Sequence, residues 1–375
     1  MRKVAVFFGG RSCENEISVL TGIFLLNVLD REKFSPIPIY IHTDGGMYTS
    51  PSMTELNAFK EKKLSKFEKI FFNEGSVYAL NAKKGKIKKL AKIDVAINCC
   101  HGGLGEGGGV SALAEWNGIP LASPDLTSSG VFMDKGLTKL IARALNLPTL
   151  DYIRVNQADY EKRGAFLLKT VNSRLKYPVI VKPARLGSSI GISLAKNEEE
   201  VKDALSSAFA LDDRVIIEKY LEKKKDVNCA AYSIDGRIIV SEPELAFGEG
   251  IYSFEDKYVR RTSDHGAPMT AKGGGRYALN GELREKIRSY TRSLYKRMGL
   301  QGAVRMDFLV SGGKAYLCEV NTVPGSLAYY LFCERITDAR QFFTDLLEDA
   351  FKRGRESKKE LVTTGILNSV HWKTK

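Results

Sequence analysis

Two carboxylates that face each other in a predicted β-hairpin are the strongest chemical signal in the sequence. Residues 304–310, a turn at 311–314 and residues 315–321 have the alternating pattern of two paired strands. Closure about Gly313 would bring four polar side chains to one face as two cross-strand pairs, Asp307 with Glu319 and Arg305 with Asn321. The opposite, apolar face is then expected to hold Met306, Phe308, Cys318 and Val320.

This polar face has two interpretations. Directly opposed carboxylates repel, and a divalent cation would make their pairing favourable. Carboxylate and amide oxygens suit Mg²⁺ rather than Zn²⁺, and Mg²⁺ held by few protein groups usually shares its shell with nucleotide phosphates. The alternative is a solvated hairpin face on which Arg305 neutralises both acids. The hairpin by itself leaves both interpretations open.

A lysine at the end of a buried strand precedes a loop that could hold phosphate. Lys182 follows the strand predicted at 179–181, and the loop contains Gly187, Ser188, Ser189 and Gly191 before a second strand at 190–194. Backbone N–H groups and hydroxyls can wrap phosphates, with the lysine as a point charge. The alternative is a hairpin with a basic tip. The glycine tract at 102–109 follows a later strand and lacks a ribose-binding acid, so a Rossmann dinucleotide site is poorly supported.

Further segments fit a nucleotide, although each alone is a weak signal. The strand end at 216–221 offers backbone groups that could read an adenine edge, and Asp226 could accept from ribose hydroxyls. Lys257 and Tyr258 lie in a polar loop.

The elements that must position these residues form an α/β region followed by denser, antiparallel strands. Strands at 4–8, 36–41 and 95–99 alternate with helices at 17–29 and 110–117, which indicates a parallel sheet with helices on both faces, ending near Leu126. Beyond Arg214 the strands are expected to pair antiparallel. Asp235-Gly236 predicts a two-residue hairpin turn, and a long helix at 282–298 ends at Gly299.

Composition excludes several classes of protein. The 375 residues, of which 43% are hydrophobic and 27% charged, suit a soluble globular chain of two or three domains. No apolar run approaches the ~20 residues of a membrane span, and the first residues do not read as a signal peptide, so we expect a cytoplasmic protein. The net charge of +13 is concentrated in residues 60–92 and 352–375. Lysine-rich surface segments explain it better than nucleic-acid binding, since no base-reading motif accompanies them.

Taken in order, these segments resemble the ATP-grasp superfamily and, within it, the D-alanine–D-alanine ligases. The resemblance covers nearly the whole chain, from Val4 to about Leu331. The segments that carry it are residues 8–18, 100–103 with Glu106, 133–135, 179–191, 218–221, 257–258, 305–307 and 319–326.

The resemblance implies an ATP-grasp fold of mixed α/β and α+β class. It has an N-terminal parallel-sheet (pre-ATP-grasp) domain at 1–126, a central ATP-grasp subdomain at 127–213, a C-terminal ATP-grasp subdomain at 214–352 and a basic tail at 353–375. It also implies transfer of the ATP γ-phosphate to one amino acid, whose acyl phosphate is attacked by the amine of a second. ATP and two Mg²⁺ ions, or Mn²⁺ in their place, would be required. The partners implied are small-molecule substrates and a second copy of the chain in a homodimer.

Residue roles are also implied by the resemblance. Glu14 would bind the donor ammonium, with Ser18 and His101 near it, and Ser188 and Tyr258 would link to Glu14. ATP would be held by eight residues: Lys135, Lys182, Glu218, Lys219, Tyr220, Leu221, Asp226 and Lys257. Asp307, Glu319 and Asn321 would bind the metal ions. Arg305 and the Gly325 N–H would stabilise the oxyanion.

The sequence departs from the family where the acceptor carboxylate would bind. The family typically has a serine at the position occupied here by Tyr330. The resemblance as a whole makes ligation of two D-alanines the first hypothesis, while Tyr330 leaves the identity of the acceptor open. The alternative is a related ligase that joins D-alanine to D-serine, D-lactate or another amino acid.

Overall fold

The computed structural model describes residues 1–60, 64–81, 85–246, 279, 281–356 and 364–366, which form three β-sheets with flanking helices. The first sheet has seven strands: β1 (Arg2–Gly9), β2 (Phe34–Ile41), β3 (Met47–Thr49), β4 (Glu68–Asn73), β5 (Ser76–Asn81), β6 (Lys86–Lys92) and β7 (Val95–Asn98). Their order is β6-β5-β4-β3-β2-β1-β7. Strand β1 is parallel to both β2 and β7, as predicted, whereas β3 to β6 pair antiparallel.

Helices cover both faces of the first sheet. They include α1 (Asn15–Val28), the short α2 (Asn57–Lys60) and α3 (Val110–Trp116). Residues 4–8 of β1 are fully buried, because alternate side chains enter two different cores. Such a continuous apolar run is typical of a strand buried on both faces.

The lysine-rich segment 60–92 contains strands that the sequence did not predict. Strands β4, β5 and β6 form an antiparallel meander at one edge of the first sheet. Lys86, Lys88 and Lys89 are exposed on the edge strand β6. Charged side chains on an edge strand discourage pairing with another chain, so these lysines have a structural explanation.

The second sheet contains four antiparallel strands in the order β10-β9-β11-β8. They are β8 (Tyr152–Asn156), β9 (Val179–Pro183), β10 (Ser193–Ala195) and β11 (Arg214–Lys219). Helices α6 (Gln157–Arg174) and α7 (Glu198–Phe209) bury their apolar faces against it. The N-cap Asn197 side chain accepts a hydrogen bond from Glu200 N at 2.9 Å, as such residues do. This sheet includes β11 and so extends past residue 213, and the division of the chain there stays a prediction.

The third sheet carries the predicted carboxylate hairpin. Its strands are β12 (Lys225–Ile234), β13 (Arg237–Val240), β14 (Glu244–Leu245), β15 (Val304–Ser311) and β16 (Lys314–Asn321). The order is β13-β12-β15-β16, with β14 also paired to β12. The predicted turn between β12 and β13 is confirmed, with Asp235 and Gly236 both at positive φ. The hydrophobic core against the third sheet includes residues of α4 (Leu126–Met133), α5 (Lys135–Ala144) and α8 (Gly281–Arg297).

The last helix, α9 (Ala339–Glu356), returns to the first sheet. Phe342, Phe343, Leu346 and Leu347 pack in the same core as Val4, Val6 and Phe8. This packing places α9 against the side of β1 that faces the same core. Among the described helices, none is long and apolar enough to span a membrane.

Candidate active site

The β15–β16 hairpin has the predicted pairing at its polar end. Arg305 pairs with Asn321 and Asp307 with Glu319. The turn is centred between Gly312 and Gly313, half a residue earlier than predicted, because Ser311 pairs with Lys314. Both glycines have left-handed backbone angles, with φ of +55° and +73°. A β-bulge after Asp307 adds one residue to β16 and restores the predicted register beyond it.

The bulge changes the position of Cys318. Met306, Phe308 and Val320 lie in the core, as expected, but the prediction that Cys318 joins them is wrong. The extra residue breaks the alternation of side chains, and Cys318 lines a cleft with its Sγ 3.8 Å from Lys182 Nζ. Leu317 takes the core position instead.

Arg305 holds one of the two carboxylates directly. Its Nε and Nη2 donate to the two Asp307 oxygens at 2.7 and 2.8 Å, the bidentate geometry of a strong charge-assisted pair. Asn321 Nδ2 donates to Asp307 Oδ2 at 3.0 Å. The hairpin face therefore has both the arginine that would neutralise the acids and the oxygen atoms that could bind a metal ion.

The chemistry of the donors fits a magnesium ion. Asp307, Glu319 and Asn321 offer only oxygen ligands on one hairpin face. Within the residues that the structure describes, no cluster of three or more histidines, cysteines and acids could hold a metal. A hard cation that takes its other ligands from phosphate and water suits such an incomplete set.

A buried group of charges lies beside the hairpin. The Glu218 carboxylate on β11 lies between two ammonium groups, with Oε1 2.5 Å from Lys139 Nζ and Oε2 2.5 Å from Lys182 Nζ. All three side chains are at most 5% exposed. Burial would raise the pKa of Glu218, but the two ammonium groups outweigh it and lower the pKa to about 2.

Lys135 connects the serine loop to the hairpin. It is the first residue of α5, and its backbone N–H donates to Ala184 O at 2.9 Å. Its Nζ donates to Leu186 O and lies 3.6 Å from Glu319 Oε2. The helix, the loop and the strand therefore meet at one cation.

One cleft of about 230 Å³ brings together most of the residues that the sequence assigned to ATP. Its lining includes Lys135, Lys182, Ser188, Glu218, Lys219, Tyr220, Leu221, Asp226, Arg305, Asp307 and Glu319. The Asp226 carboxylate is 2.5 Å from Lys224 Nζ. Lys257 and Tyr258 lie outside the described residues.

A smaller pocket of about 80 Å³ adjoins this cleft and holds the residues assigned to the amino acid donor. Glu14, His101, Asn321 and Gly325 line it. Five residues line both spaces: Lys135, Leu186, Gly187, Ser188 and Glu319. A phosphate in one space and a carboxylate in the other would therefore meet near Lys135 and Glu319.

The serine loop reaches Glu14 at the boundary between the two spaces. Ser188 Oγ donates to Glu14 Oε1. Gly187 allows the approach, because a Cβ at this position would lie 2.9 Å from Glu14 Oε2. The structure thus brings Glu14 and Ser188 into contact.

His101 and Ser18 are bound to the protein itself. The two ring nitrogens of His101 are each 2.8 Å from a partner, Thr21 Oγ1 and Val323 O. Burial lowers the pKa of His101 to about 4, so the ring is neutral. Ser18 is fully buried, where its Oγ accepts from Gly9 N and donates to Cys99 O. The Ser18 side chain does not line the donor pocket.

Comparison with known proteins identifies the family. A family model for the D-ala D-ala ligase N-terminus matches residues 3–124, and one for the C-terminus matches residues 141–351. The D-alanine–D-alanine ligase of Thermosipho africanus is 32% identical over 371 residues, 96% of each chain. The one from a Nitratiruptor species is 32% identical over 369 residues, 98% of each chain. The chain belongs to the D-alanine–D-alanine ligase family.

Solved structures of similar ligases confirm the ATP-grasp fold. The D-alanine–D-alanine ligase of Helicobacter pylori matches with a TM-score of 0.74 and 29% identity, covering 94% of this chain and 98% of that chain. A D-Ala:D-Ser ligase of Enterococcus faecalis matches with a TM-score of 0.73 and 23% identity, covering 94% and 99%. Ligases named for different acceptors thus share this fold, and the fold alone does not select the acceptor.

Tyr330, which departs from the ligase family pattern, contacts the hairpin. Its hydroxyl accepts from Arg305 Nη1 at 3.1 Å. It follows the turn that begins at Gly325, in which Ser326, Leu327 and Ala328 have φ of 48–55°. Leu327 and Ala328 are buried, so core packing holds this left-handed stretch in place. The turn sets the position of Tyr330 relative to Gly325.

Two residues of the ligase site, the partly buried Glu106 and the buried Lys139, received no role from the sequence. Glu106, in the glycine tract, accepts hydrogen bonds from Gly102 N at 2.8 Å and Val323 N at 3.2 Å. Burial is the main cause that raises its pKa to about 7, and the nearby Glu14 and Glu319 add to it. Lys139 follows Lys135 by one helical turn, a spacing that could have indicated a shared face.

Proposed function

We propose that this protein joins two D-alanine molecules into D-alanyl-D-alanine at the expense of ATP, for the synthesis of peptidoglycan precursors. The continuity of the two spaces carries the proposal, since a nucleotide cleft and an amino acid pocket share Lys135, Ser188 and Glu319. A phosphoryl group can pass between two bound substrates only if they meet at such a boundary. The predicted division into an N-terminal domain and two ATP-grasp subdomains belongs to the same proposal.

The first step would form an acyl phosphate on the donor D-alanine: a carboxylate oxygen bonds to the γ-phosphorus of ATP, the bond from that phosphorus to the β,γ-bridging oxygen breaks, and ADP leaves. Glu14 would hold the donor ammonium, while Lys135 and Lys182 neutralise the phosphates during transfer. Asp307, Glu319 and Asn321 would hold two Mg²⁺ ions, or Mn²⁺, which supply charge neutralisation between the phosphates when bound. Glu218, Lys219, Tyr220, Leu221, Asp226 and Lys257 would hold the adenine and ribose.

The second step would be attack of the acceptor amine on the acyl phosphate. Negative charge then develops on the carbonyl oxygen, where Arg305 and the Gly325 N–H would stabilise it. The C–O bond to phosphate breaks next, and inorganic phosphate leaves and takes up the proton that the amine loses. His101 would shape the wall of the donor pocket. Ser188 and Tyr258 would both link to Glu14, and the loop containing Ser188 would close over the substrates and exclude the water that hydrolyses an acyl phosphate. By resemblance to the family, we also propose a cytoplasmic homodimer.

The test measures phosphate release from ATP with Mg²⁺ and single amino acids or pairs of both chiralities, with product detection by mass. D-alanine alone is expected to give phosphate and D-alanyl-D-alanine. Release only with a mixed pair would identify a different acceptor and would make Tyr330 the selecting residue. No release with any amino acid would contradict the proposed activity.

Glu319→Gln tests the metal assignment within this function. The amide cannot provide the charge that a divalent cation requires, so ATP turnover should fall at least about a hundredfold while the fold persists. Titration with Mg²⁺ and circular dichroism would measure both properties. The exposed Glu55→Gln is the matched control. Normal turnover with an unchanged Mg²⁺ requirement in Glu319→Gln would exclude the assignment.

A further inference from the structure

A buried lysine with no part in the proposed chemistry lies behind the nucleotide cleft. The Lys139 side chain is 1% exposed, and its Nζ is 2.5 Å from Glu218 Oε1 and 5.6 Å from the centre of the Tyr152 ring. Lys139 is not among the residues that line the cleft, whereas Glu218 and Lys182 both line it. Lys139 therefore reaches a bound nucleotide only through another residue.

The shared carboxylate determines how much charge Lys182 presents. Glu218 carries one negative charge and contacts two ammonium groups, so the group Lys139–Glu218–Lys182 has a net charge of one positive unit. With Lys139 absent, Glu218 and Lys182 would form a neutral pair. In a buried site such a change acts strongly on an anion, since little water screens it.

Three structural elements meet at this group. Lys139 comes from α5, Lys182 from the end of β9 and Glu218 from β11, which pairs with β9. The Glu218 carboxylate is held from both sides, so it cannot turn fully towards Lys182. The Lys182 ammonium stays at the cleft wall, 3.8 Å from Cys318 Sγ.

We propose that Lys139 is a positioning residue for nucleotide binding. Lys139 pairs with one oxygen of Glu218 on the side away from the cleft. Because the single negative charge of Glu218 is then shared by two ammonium groups, Lys182 keeps part of its positive charge for the phosphates of ATP. The inference rests on the proposed function in one respect, that the phosphates of ATP bind beside Lys182. It predicts that charge at position 139, rather than packing, controls nucleotide affinity.

Calorimetric titration of the full chain with Mg-ATP, without amino acid, tests the proposal. Lys139→Met should weaken ATP binding roughly tenfold, the change expected when a charged contact loses its charge. Lys139→Arg should retain most of the affinity. The KM for D-alanine should change by less than about twofold, because the donor pocket is separate from Lys139.

A double variant separates charge from structure. Lys139→Met combined with Glu218→Gln restores the net positive charge, and the probe for this variant is Mg-triphosphate, which has no adenine or ribose for Glu218 to hold. Affinity for Mg-triphosphate should be roughly tenfold lower in Lys139→Met and should return to within about threefold of the native value in the double variant. A purely structural role would not give this recovery. Lys202→Met is the matched control, because Lys202 forms an exposed ion pair with Glu198 on α7. Thermal melting verifies that each variant is folded.

The outcomes are distinct. Native ATP affinity in folded Lys139→Met, or a folded double variant that does not recover affinity, would overturn the proposal. If Lys139→Met unfolds, Lys139→Gln keeps a hydrogen-bond donor without the charge and should show the same loss. Failure of the native protein to bind ATP would instead contradict the proposed function itself.

Discussion

Glu106 and Glu218 are two carboxyl groups in adjoining parts of one site, yet their pKa values are shifted in opposite directions. The pKa of Glu106 is raised to about 7, whereas that of Glu218 is lowered to about 2. Burial alone would raise both. Glu106 has backbone N–H donors and two neighbouring acids, while Glu218 has two ammonium groups within 2.5 Å. Two ammonium partners therefore reverse for Glu218 the effect that burial has on the pKa of Glu106.

The difference matches what each space is proposed to bind. The nucleotide cleft has a buried cluster of positive net charge, which suits anionic phosphates. The donor pocket has Glu14, Glu106 and Glu319 in its lining, which suits an ammonium group. Two neighbouring spaces of opposite character allow ATP and an amino acid to bind side by side without exchanging places.

The largest expected effect comes from neutralising Glu218. Glu218→Gln leaves Lys139 and Lys182 buried without their carboxylate, and the free energy of unfolding should fall by about 3 to 5 kcal/mol at pH 7. Because the pKa is lowered in the folded state, the Glu218 contribution is present above about pH 4.5 and is lost as the pH falls towards 2. Urea unfolding of both proteins at several pH values measures this.

The control for Glu218→Gln is Glu198→Gln in the exposed pair with Lys202, for which a change below about 0.5 kcal/mol is expected. Equal losses in the two variants would mean that the buried group has no special importance. The comparison with Glu106 would then fail as well.

The opposite pH dependence is expected from Glu106. Its pKa is raised in the folded state, so its contribution to stability is complete below about pH 4.5 and is lost as the pH rises through about 7. Native protein measured against Glu106→Gln should lose roughly 3 kcal/mol across that interval, from about 1.4 kcal/mol per pKa unit. Unfolding in metal-free buffer from pH 4.5 to 8 tests this, and a flat difference would contradict the raised pKa.

The smallest effect concerns the side-chain support of Glu106. Thr322 Oγ1 lies 3.5 Å from Glu106 Oε1, a longer contact than those from Gly102 N and Val323 N. Thr322→Val keeps the shape of a buried side chain, so stability at pH 7 should change by less than about 1 kcal/mol. A larger loss would show that the hydroxyl, and not the backbone, supports the carboxylate.

Residues close together in the chain were predicted well. The pairs Asp307 with Glu319 and Arg305 with Asn321 follow from strand alternation around a short glycine turn. The position of Cys318 could not be predicted, because a bulge leaves no clear mark in the alternating pattern. The strands in the lysine-rich segment were missed because their exposed edge reads as a solvated surface.

Contacts between distant segments needed the structure. Lys139 and Glu218 are 79 positions apart, and Glu106 contacts Val323 across a separation of 217. Nothing in either local sequence distinguishes a buried lysine or acid from an exposed one. The chemistry of these residues depends on neighbours that only folding supplies.

The sequence by itself determined the family, the ATP-grasp fold and the hairpin of Asp307 and Glu319, because ordered motifs and strand alternation are local properties. Tertiary structure decided three things: the contact of Ser188 with Glu14, the meeting of the two spaces at Lys135, and the direction in which the pKa values of Glu106 and Glu218 are shifted. Electrostatic energy depends on distances of a few ångströms and on exclusion of water, and both quantities exist only in the folded chain.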